Sequence, residues 1–178
     1  MVSACSAPYD LVNCGAIRIF IDVHSLGGMM DKLTTKLLTH QNECTISWIT
    51  RDGSPASTVV SFIWEDDAIW MTALSASARV GAIRRDPRIS VVVSGKGCKV
   101  GDTRCVSMRG RCEILDSAEI RDWFFPRFSR KVLHKSRMGA SMMAKAMNSP
   151  GNLVLKFTPE KTIPYDARRA MQAANFLP

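Results

Sequence analysis

Short apolar segments recur between residues 44 and 115, and their pattern predicts β-strands. The segments CTISWIT (44–50), STVVSFIW (57–64) and AIWMTAL (68–74) are separated by the turns RDGSP and EDD, and Asp52-Gly53 is a strong hairpin signal. Because such short connections join antiparallel neighbours, the three segments are predicted to form an antiparallel meander.

Three further strands follow. The segment ISVVV (89–93) is continuous and β-branched, which predicts a strand buried on both faces. The segment CVSMRGRCEIL (105–115) alternates, so one face is predicted to be apolar and the other to carry Arg109 and Arg111. The segment NLVLKFTP (152–159) predicts a last strand, followed by a short tail.

Helical periodicity appears in three places. The segment DKLTTKLLTH (31–40) carries an apolar stripe formed by Leu33, Leu37 and Leu38. A short helix is predicted from Ser75 onward, and Asp86-Pro87 should end it because the residue before proline disfavours helix. Residues 117–147 are predicted to be helical with an interruption at Pro126.

Six strands with few helices predict a mainly β fold, a small antiparallel β-barrel with flanking helices. The chain has 178 residues, the size of one ordinary domain. Residues 1–28, with one strand-like run at 17–23, fit this pattern poorly. We interpret them as an N-terminal extension, a partly ordered or disordered arm, before one domain over residues 29–178.

Composition narrows the class of protein. With 46% hydrophobic and 22% charged residues the chain is neither disordered nor membrane-spanning, because no apolar run reaches about 18–20 residues. A secretory signal pattern is also absent, so a cytoplasmic protein is expected. The net charge of +8 favours an anionic partner such as nucleic acid, a phosphorylated cofactor or an acidic metabolite, although solubility alone explains it equally well.

Familiar catalytic patterns are absent. The three histidines, at positions 24, 40 and 134, lie far apart, and there is no CxxC pair among the six cysteines, which are best explained as reduced, small apolar residues. The sequence also lacks GxSxG, Walker and GxGxxG motifs. No metal site and no catalytic side chain are predicted, so in an enzyme a bound cofactor would supply the chemistry.

The short helix after residue 74 is the best candidate for a binding site. Ser75 and Ser77 are suitable N-caps, and the first backbone N–H groups of a helix favour an anion. Arg79 lies in the first turn, where the helix dipole disfavours a cation unless an anion is bound there. A surface salt bridge for Arg79 and simple capping for Ser77 are the alternatives. Arg84 and Arg85 suit the C-terminal end of the helix without any ligand.

The order of these features resembles the FMN-binding split-barrel family, the pyridoxamine 5′-phosphate oxidase-like proteins. ISWITRDGSPASTVVSFIWEDDAIWMTA resembles the opening strands of the family, and SASARVGAIRRDPRISVVV resembles its phosphate helix and following strand. VSMRGRCEILD and LKFTPEKTIPYDARRAM resemble a later strand and the C-terminal segment. The resemblance covers about residues 31–170.

This resemblance implies a six-stranded antiparallel split barrel and a homodimer with FMN sites at the subunit interface. It implies an FMN-dependent oxidoreductase that acts on an unidentified small substrate. Arg79 matches the phosphate-binding Lys or Arg of the family, and Ser77 lies beside it. The cofactor-binding residues that the resemblance implies are Val60, Ser61, Phe62, Thr72, Ala73, Ser77, Arg79 and Val80.

Two departures from the family pattern limit what the resemblance implies. Gly81-Ala82-Ile83 stands where many members have Arg-Asn-Leu, which removes or moves one phosphate contact. The Arg-x-His signature of the true pyridoxamine-phosphate oxidases is missing near the C-terminus. The resemblance therefore does not extend to the vitamin substrate.

Other ligands remain open for this fold. Some relatives use a deazaflavin, coenzyme F-420, and others bind haem or carry flavin without catalysis. A basic groove would suit the polyglutamyl tail of the deazaflavin. A non-enzymatic nucleic-acid-binding β-barrel is the alternative of another class, since small barrels bind single strands through basic grooves and exposed aromatic residues.

Overall fold

The computed structural model of the chain describes residues 31–173. The predicted extension over residues 1–28, with its strand-like run at 17–23, lies outside the described residues, as does the start of the predicted domain at residue 29. No helix in the described range is both long and apolar enough to span a membrane.

Six antiparallel strands form a closed barrel, which confirms the predicted fold. The strands are β1 (Glu43–Ile49), β2 (Pro55–Glu65), β3 (Ala68–Leu74), β4 (Arg88–Ser94), β5 (Arg104–Leu115) and β6 (Asn152–Asp166). Neighbours follow the order β1-β2-β3-β6-β5-β4, so the first three strands form the predicted meander. The helices are α1 (Lys32–His40), α2 (Ala78–Arg85), α3 (Ala118–Val132), α4 (Arg137–Met147) and α5 (Ala167–Ala173).

The main core fills the inside of the barrel, because alternate residues of each strand point inward. Leu37 and Leu38 of α1 join this core. The apolar stripe of α1 differs from the prediction in one position: Leu33 is exposed and Thr34 is buried instead. The Thr34 hydroxyl donates to the Asp31 carboxylate at 2.6 Å, which satisfies its polar group.

A second core forms between the outer face of β2, β3 and β6 and the helix α3. Phe124, Phe125 and Phe128 of α3 pack there against Trp70. Pro126 was predicted to interrupt this helix, but α3 continues through it. A proline within a helix costs about 3 kcal/mol or more, and burial of the three flanking phenylalanines offsets that loss by about 1.5–3 kcal/mol for each side chain.

Two strands differ from their predictions. β4 alternates rather than being buried on both faces, and Val92 is 36% exposed, since only the inner face of a barrel strand is enclosed. β6 continues beyond Pro159 to Asp166 because its pairing with β5 extends to that residue. Beyond Phe157, β5 is the one strand among residues 31–173 that pairs with β6, and a strand paired on one side accommodates proline.

Candidate functional site

The ladder between β2 and β3 is short and ends near the predicted cofactor residues. It contains the pairs from Glu65–Ala68 to Phe62–Met71 and no further ones. Within residues 31–173, Ser61 beyond that point pairs with β1 alone, and Thr72 pairs with β6 alone. The strands β2 and β3 therefore part at this end of the barrel.

Helix α2 begins directly after β3, beside the point where the ladder ends. Two backbone hydrogen bonds fix the turn, from Ser75 N to Gly151 O and from Ser77 N to Leu74 O, both at 2.9 Å. Ser77 is the N-cap, with the extended backbone (φ −70°, ψ 144°) that this position requires. The helix ends at Asp86, as the following proline predicts.

Ser77 has the position of a capping residue without the hydrogen bond of one. Its side chain accepts no bond from the backbone N–H groups of α2, and its Oγ atom is buried without a partner in the part of the chain that the structure describes. In α1, α3 and α4, by contrast, the N-cap side chain accepts at least one such bond. The Ser77 hydroxyl is thus free for another partner.

Arg79 extends from the first turn of α2 back to β3. Its Nη2 donates to the carbonyl of Thr72 at 3.2 Å, while its Nε is buried and has no partner within residues 31–173. Among residues 31–173 no carboxylate forms an ion pair with Arg79. Burial lowers the pKa of the guanidinium, but arginine still remains charged in proteins. The result is a partly desolvated cation with no counter-ion in the described part of the chain.

These observations fit an anionic group such as the phosphate of a flavin mononucleotide. An unpaired hydroxyl, an unpaired guanidinium N–H and free helical N–H groups lie together at one helix N-terminus. Leaving such buried donors unsatisfied costs about 1–3 kcal/mol each, so a ligand that accepts from them would be stabilised.

The remaining predicted residues divide into two groups. Phe62, Ala73 and Val80 are buried in the barrel core, so their side chains serve packing and only their backbone groups are available to a ligand. Val60 and Ser61 are partly buried on β2. The structure brings Thr72 and Arg79 into direct contact, and Ser77 lies two residues before Arg79 at the N-cap of α2.

Lys131 on α3 is a feature that the sequence did not reveal. Its ammonium lies 4.5 Å from the centre of the Phe62 ring and 3.5 Å from the carbonyl oxygen of Leu38. Burial lowers the pKa of this lysine to about 8. Helical periodicity alone places Lys131 one turn from the exposed Arg127, so only the tertiary packing of α3 identifies it.

Four of the six cysteines lie within the described range. Cys44, Cys98, Cys105 and Cys112 are free thiols, and burial raises the pKa of Cys44 and Cys112 to about 12. No three His, Cys, Asp or Glu side chains of residues 31–173 lie close enough together to hold a metal ion.

Comparison with known proteins identifies a family and several similar folds. The profile of the family described as pyridoxamine 5′-phosphate oxidase matches residues 30–165. No curated protein sequence matches the chain significantly.

Three solved structures illustrate the structural likeness. Protein Rv2991 from Mycobacterium tuberculosis has 22% sequence identity and a TM-score of 0.68, over 84% of this chain and 90% of that one. A protein named F420 reductase has 13% identity and a TM-score of 0.59, over 75% and 98%. A pyridoxamine 5′-phosphate oxidase-related, FMN-binding protein from Nostoc punctiforme has 14% identity and a TM-score of 0.51, over 71% and 75%. At these identities the likeness shows the fold.

Proposed function

This chain belongs to the pyridoxamine 5′-phosphate oxidase family, and we propose that it is an oxidoreductase that binds FMN and acts on a small substrate. The observation that carries the proposal is the pair of unsatisfied buried donors at the start of α2, Ser77 Oγ and Arg79 Nε. One solved structure of similar fold is described as FMN-binding, which supports the same cofactor.

The phosphate of FMN would be held by the Ser77 hydroxyl, the Arg79 guanidinium and the N–H groups of α2. When bound, FMN supplies hydride or electron transfer. The chain's own contribution is to bind and orient the cofactor. Thr72 positions Arg79 by accepting one of its N–H groups, which leaves the Nε–H for the anion.

We also propose that the protein is a homodimer with its cofactor sites at the subunit interface. One row of residues on the outside of the barrel is rich in apolar side chains: Val59 lies opposite Thr45, and Thr45 lies opposite Val92. Both valines are exposed in the single chain. A second copy packed on this row would remove them from water, which favours association.

A deazaflavin is the second candidate cofactor. It is favoured by the fold of the protein named F420 reductase, 98% of which is matched by this chain, and by the net charge of +8. The phosphate group of the deazaflavin would use the same Ser77 and Arg79 donors.

The visible absorption spectrum of the purified protein, with FMN and with the deazaflavin added separately, tests both candidates. FMN is expected to co-elute with the protein on gel filtration in a stoichiometric amount. Co-elution of the deazaflavin alone would assign that cofactor instead, and elution of the protein free of both would contradict the proposed function.

A further inference from the structure

A second feature of the barrel surface lies on the outer face of β1, β4, β5 and β6. It is a groove of about 470 Å³. One cross-strand row forms its floor, because Ser47 lies opposite Ser90, Ser90 opposite Arg109, and Arg109 opposite Lys161. Ile49 and Pro55, whose side chains are apolar, also line the groove.

Two residues of this row carry like charges, whereas the charged pairs elsewhere in the ladder between β5 and β6 have opposite charges. Between β5 and β6, Glu113 lies opposite Lys156, and Arg104 forms an ion pair with Asp166 at 2.9 Å. Arg109 and Lys161, at the groove, are instead two cations directly opposite each other. Like charges in this position destabilise a sheet, so a local exception of this kind points to a ligand.

A β-bulge fixes this like-charge pair in place. The register between β5 and β6 shifts at Arg109/Gly110, so that Gly110 pairs with Pro159 and Arg109 with Lys161. A Cβ atom at Gly110 would clash with the carbonyl oxygen of Thr158, so only glycine allows this approach. Bulges commonly redirect side chains at functional sites.

Neither cation of the pair is neutralised by the described part of the chain. Asp86 binds Arg88, a further cation of the groove, at 2.7 Å and is thereby engaged. Glu160 also lines the groove but forms no ion pair with Arg109 or Lys161. Two positive charges and the hydroxyls of Ser47 and Ser90 therefore face the same groove, and no acidic side chain among residues 31–173 pairs with them.

We propose that this groove binds a small organic anion. Its phosphate or carboxylate would lie between Arg109 and Lys161, with the hydroxyls of Ser47 and Ser90 as further donors. Its apolar part would pack against Ile49 and Pro55. The volume lies within the range of about 300–1,000 Å³ that is usual for small-molecule sites. None of the groove residues belongs to the proposed FMN site, so the inference goes beyond that function.

The experiment is an isothermal titration of the full-length protein with phenyl phosphate, inorganic phosphate and the neutral benzyl alcohol. Phenyl phosphate is expected to bind most tightly, because it uses both the cations and the apolar side chains. Arg109→Gln and Lys161→Gln should each weaken that binding about tenfold, as loss of a charge-assisted hydrogen bond does. Arg130→Gln and Lys145→Gln, on exposed helix positions, are controls for the change in net charge and should bind as the wild type does.

Two additional variants distinguish binding in this groove from binding in the cofactor site and from dimer formation. Arg79→Ala should keep the binding that depends on Arg109 and Lys161, whatever further phosphate the cofactor site takes up in the wild type. A complete loss of binding in Arg79→Ala would place the probe in the cofactor site and overturn the proposal. Equal binding by wild type and the Arg109→Gln/Lys161→Gln double variant would also overturn it. A third result would overturn the proposal as well: the wild type does not bind phenyl phosphate, and the double variant changes the oligomeric state in sedimentation. That result would show that a second copy of the chain fills the groove. Circular dichroism checks that every variant is folded.

Discussion

The guanidinium of Arg79 donates through Nη2 to the carbonyl of Thr72 at 3.2 Å, and its Nε–H is left buried and unpaired. This contact links the N-terminal turn of α2 to the end of β3. It holds the charge of Arg79 in place before any ligand binds. An arrangement of this kind is preorganised, because the cost of ordering a long side chain has been met on folding rather than on binding.

The N-cap side chain of α2 should not contribute to stability. Ser77→Ala should not lower the free energy of unfolding, since its side chain makes no capping bond to lose. It should raise that free energy by about 1–3 kcal/mol, because the variant removes a buried hydroxyl that has no partner among residues 31–173. Ser117→Ala, the matched change at the N-cap of α3, should cost about 1 kcal/mol because Ser117 accepts from Ile120 N at 3.2 Å. Urea unfolding of both cofactor-free variants measures the difference, and equal losses would contradict a free Ser77 hydroxyl.

Removal of the Arg79 charge should affect ligand binding and stability in opposite directions. In the cofactor-free protein, Arg79→Met replaces a partly desolvated, unpaired cation with an apolar side chain of similar length, so the unfolding midpoint should rise. The same variant should lose FMN affinity. A lower midpoint for Arg79→Met in thermal unfolding would show that the guanidinium has a stabilising partner in the folded protein.

The bulge between β5 and β6 should tolerate no side chain. Gly110→Ala places a Cβ against backbone atoms of Thr158 and Pro159, and we expect a loss of about 3 kcal/mol or more. Gly81→Ala is the control: it lies in α2 with open space around its Cβ and should stabilise the protein by up to about 1 kcal/mol. Chemical denaturation of the two variants compares these effects, and a neutral Gly110→Ala would refute the close approach.

Stability should depend on pH through Lys131. Burial lowers the pKa of this lysine from its usual 10.5 to about 8 in the folded protein, so between these two values the unfolded state binds more protons. The contribution of Lys131 to stability therefore rises with pH across that window. Buried Cys44 and Cys112, with pKa values raised from 9.0 to about 12, act in the opposite direction above pH 9.0.

The variant Lys131→Met isolates the lysine from these thiols. It should be more stable than the wild type at neutral pH, and the difference should shrink as the pH rises from about 8 to 10.5. Unfolding curves of both proteins over this range test the sign. A difference that stays constant with pH would show that Lys131 does not titrate in the folded protein as expected.

The proposed dimer interface predicts a specific effect on assembly. Val92→Lys introduces a charge into the outer row shared with Val59 and Thr45, so the protein should become monomeric in sedimentation. Met138→Lys, at a position 77% exposed on α4, should leave the oligomeric state unchanged. A monomeric wild type, or a dimer that survives Val92→Lys, would count against this interface.

Local signals predicted most of the barrel and the first turn of α2. Three of these signals depend on a few neighbouring residues each: the hairpin at Asp52-Gly53, the alternation of β5 and the end of α2 before Pro87. The structure agrees with all three. The contact of Arg79 with Thr72 joins α2 to β3. The periodicity of a single helix or strand cannot predict a contact between two elements.

The errors have the same origin in tertiary structure. Pro126 lies within α3 because the phenylalanines around it are buried on the barrel. β6 passes Pro159 because β5 offers it a continuous partner. The additional residues of β6 include Lys161, which lies opposite Arg109. A strand that ends at Pro159 does not contain Lys161, so the sequence prediction did not include this pair of cations or the groove.

The central claim is that Ser77 and Arg79 hold the phosphate of FMN, and the FMN affinity of matched variants tests it most directly. Fluorescence titration of FMN should give a dissociation constant that rises roughly 10–100-fold for Arg79→Ala, the loss expected for a charge-assisted bond of about 1.5–3 kcal/mol. Arg84→Ala, an exposed arginine of the same helix, should bind FMN as the wild type does. Equal affinity of Arg79→Ala and wild type, or no binding of FMN by either, would contradict this claim.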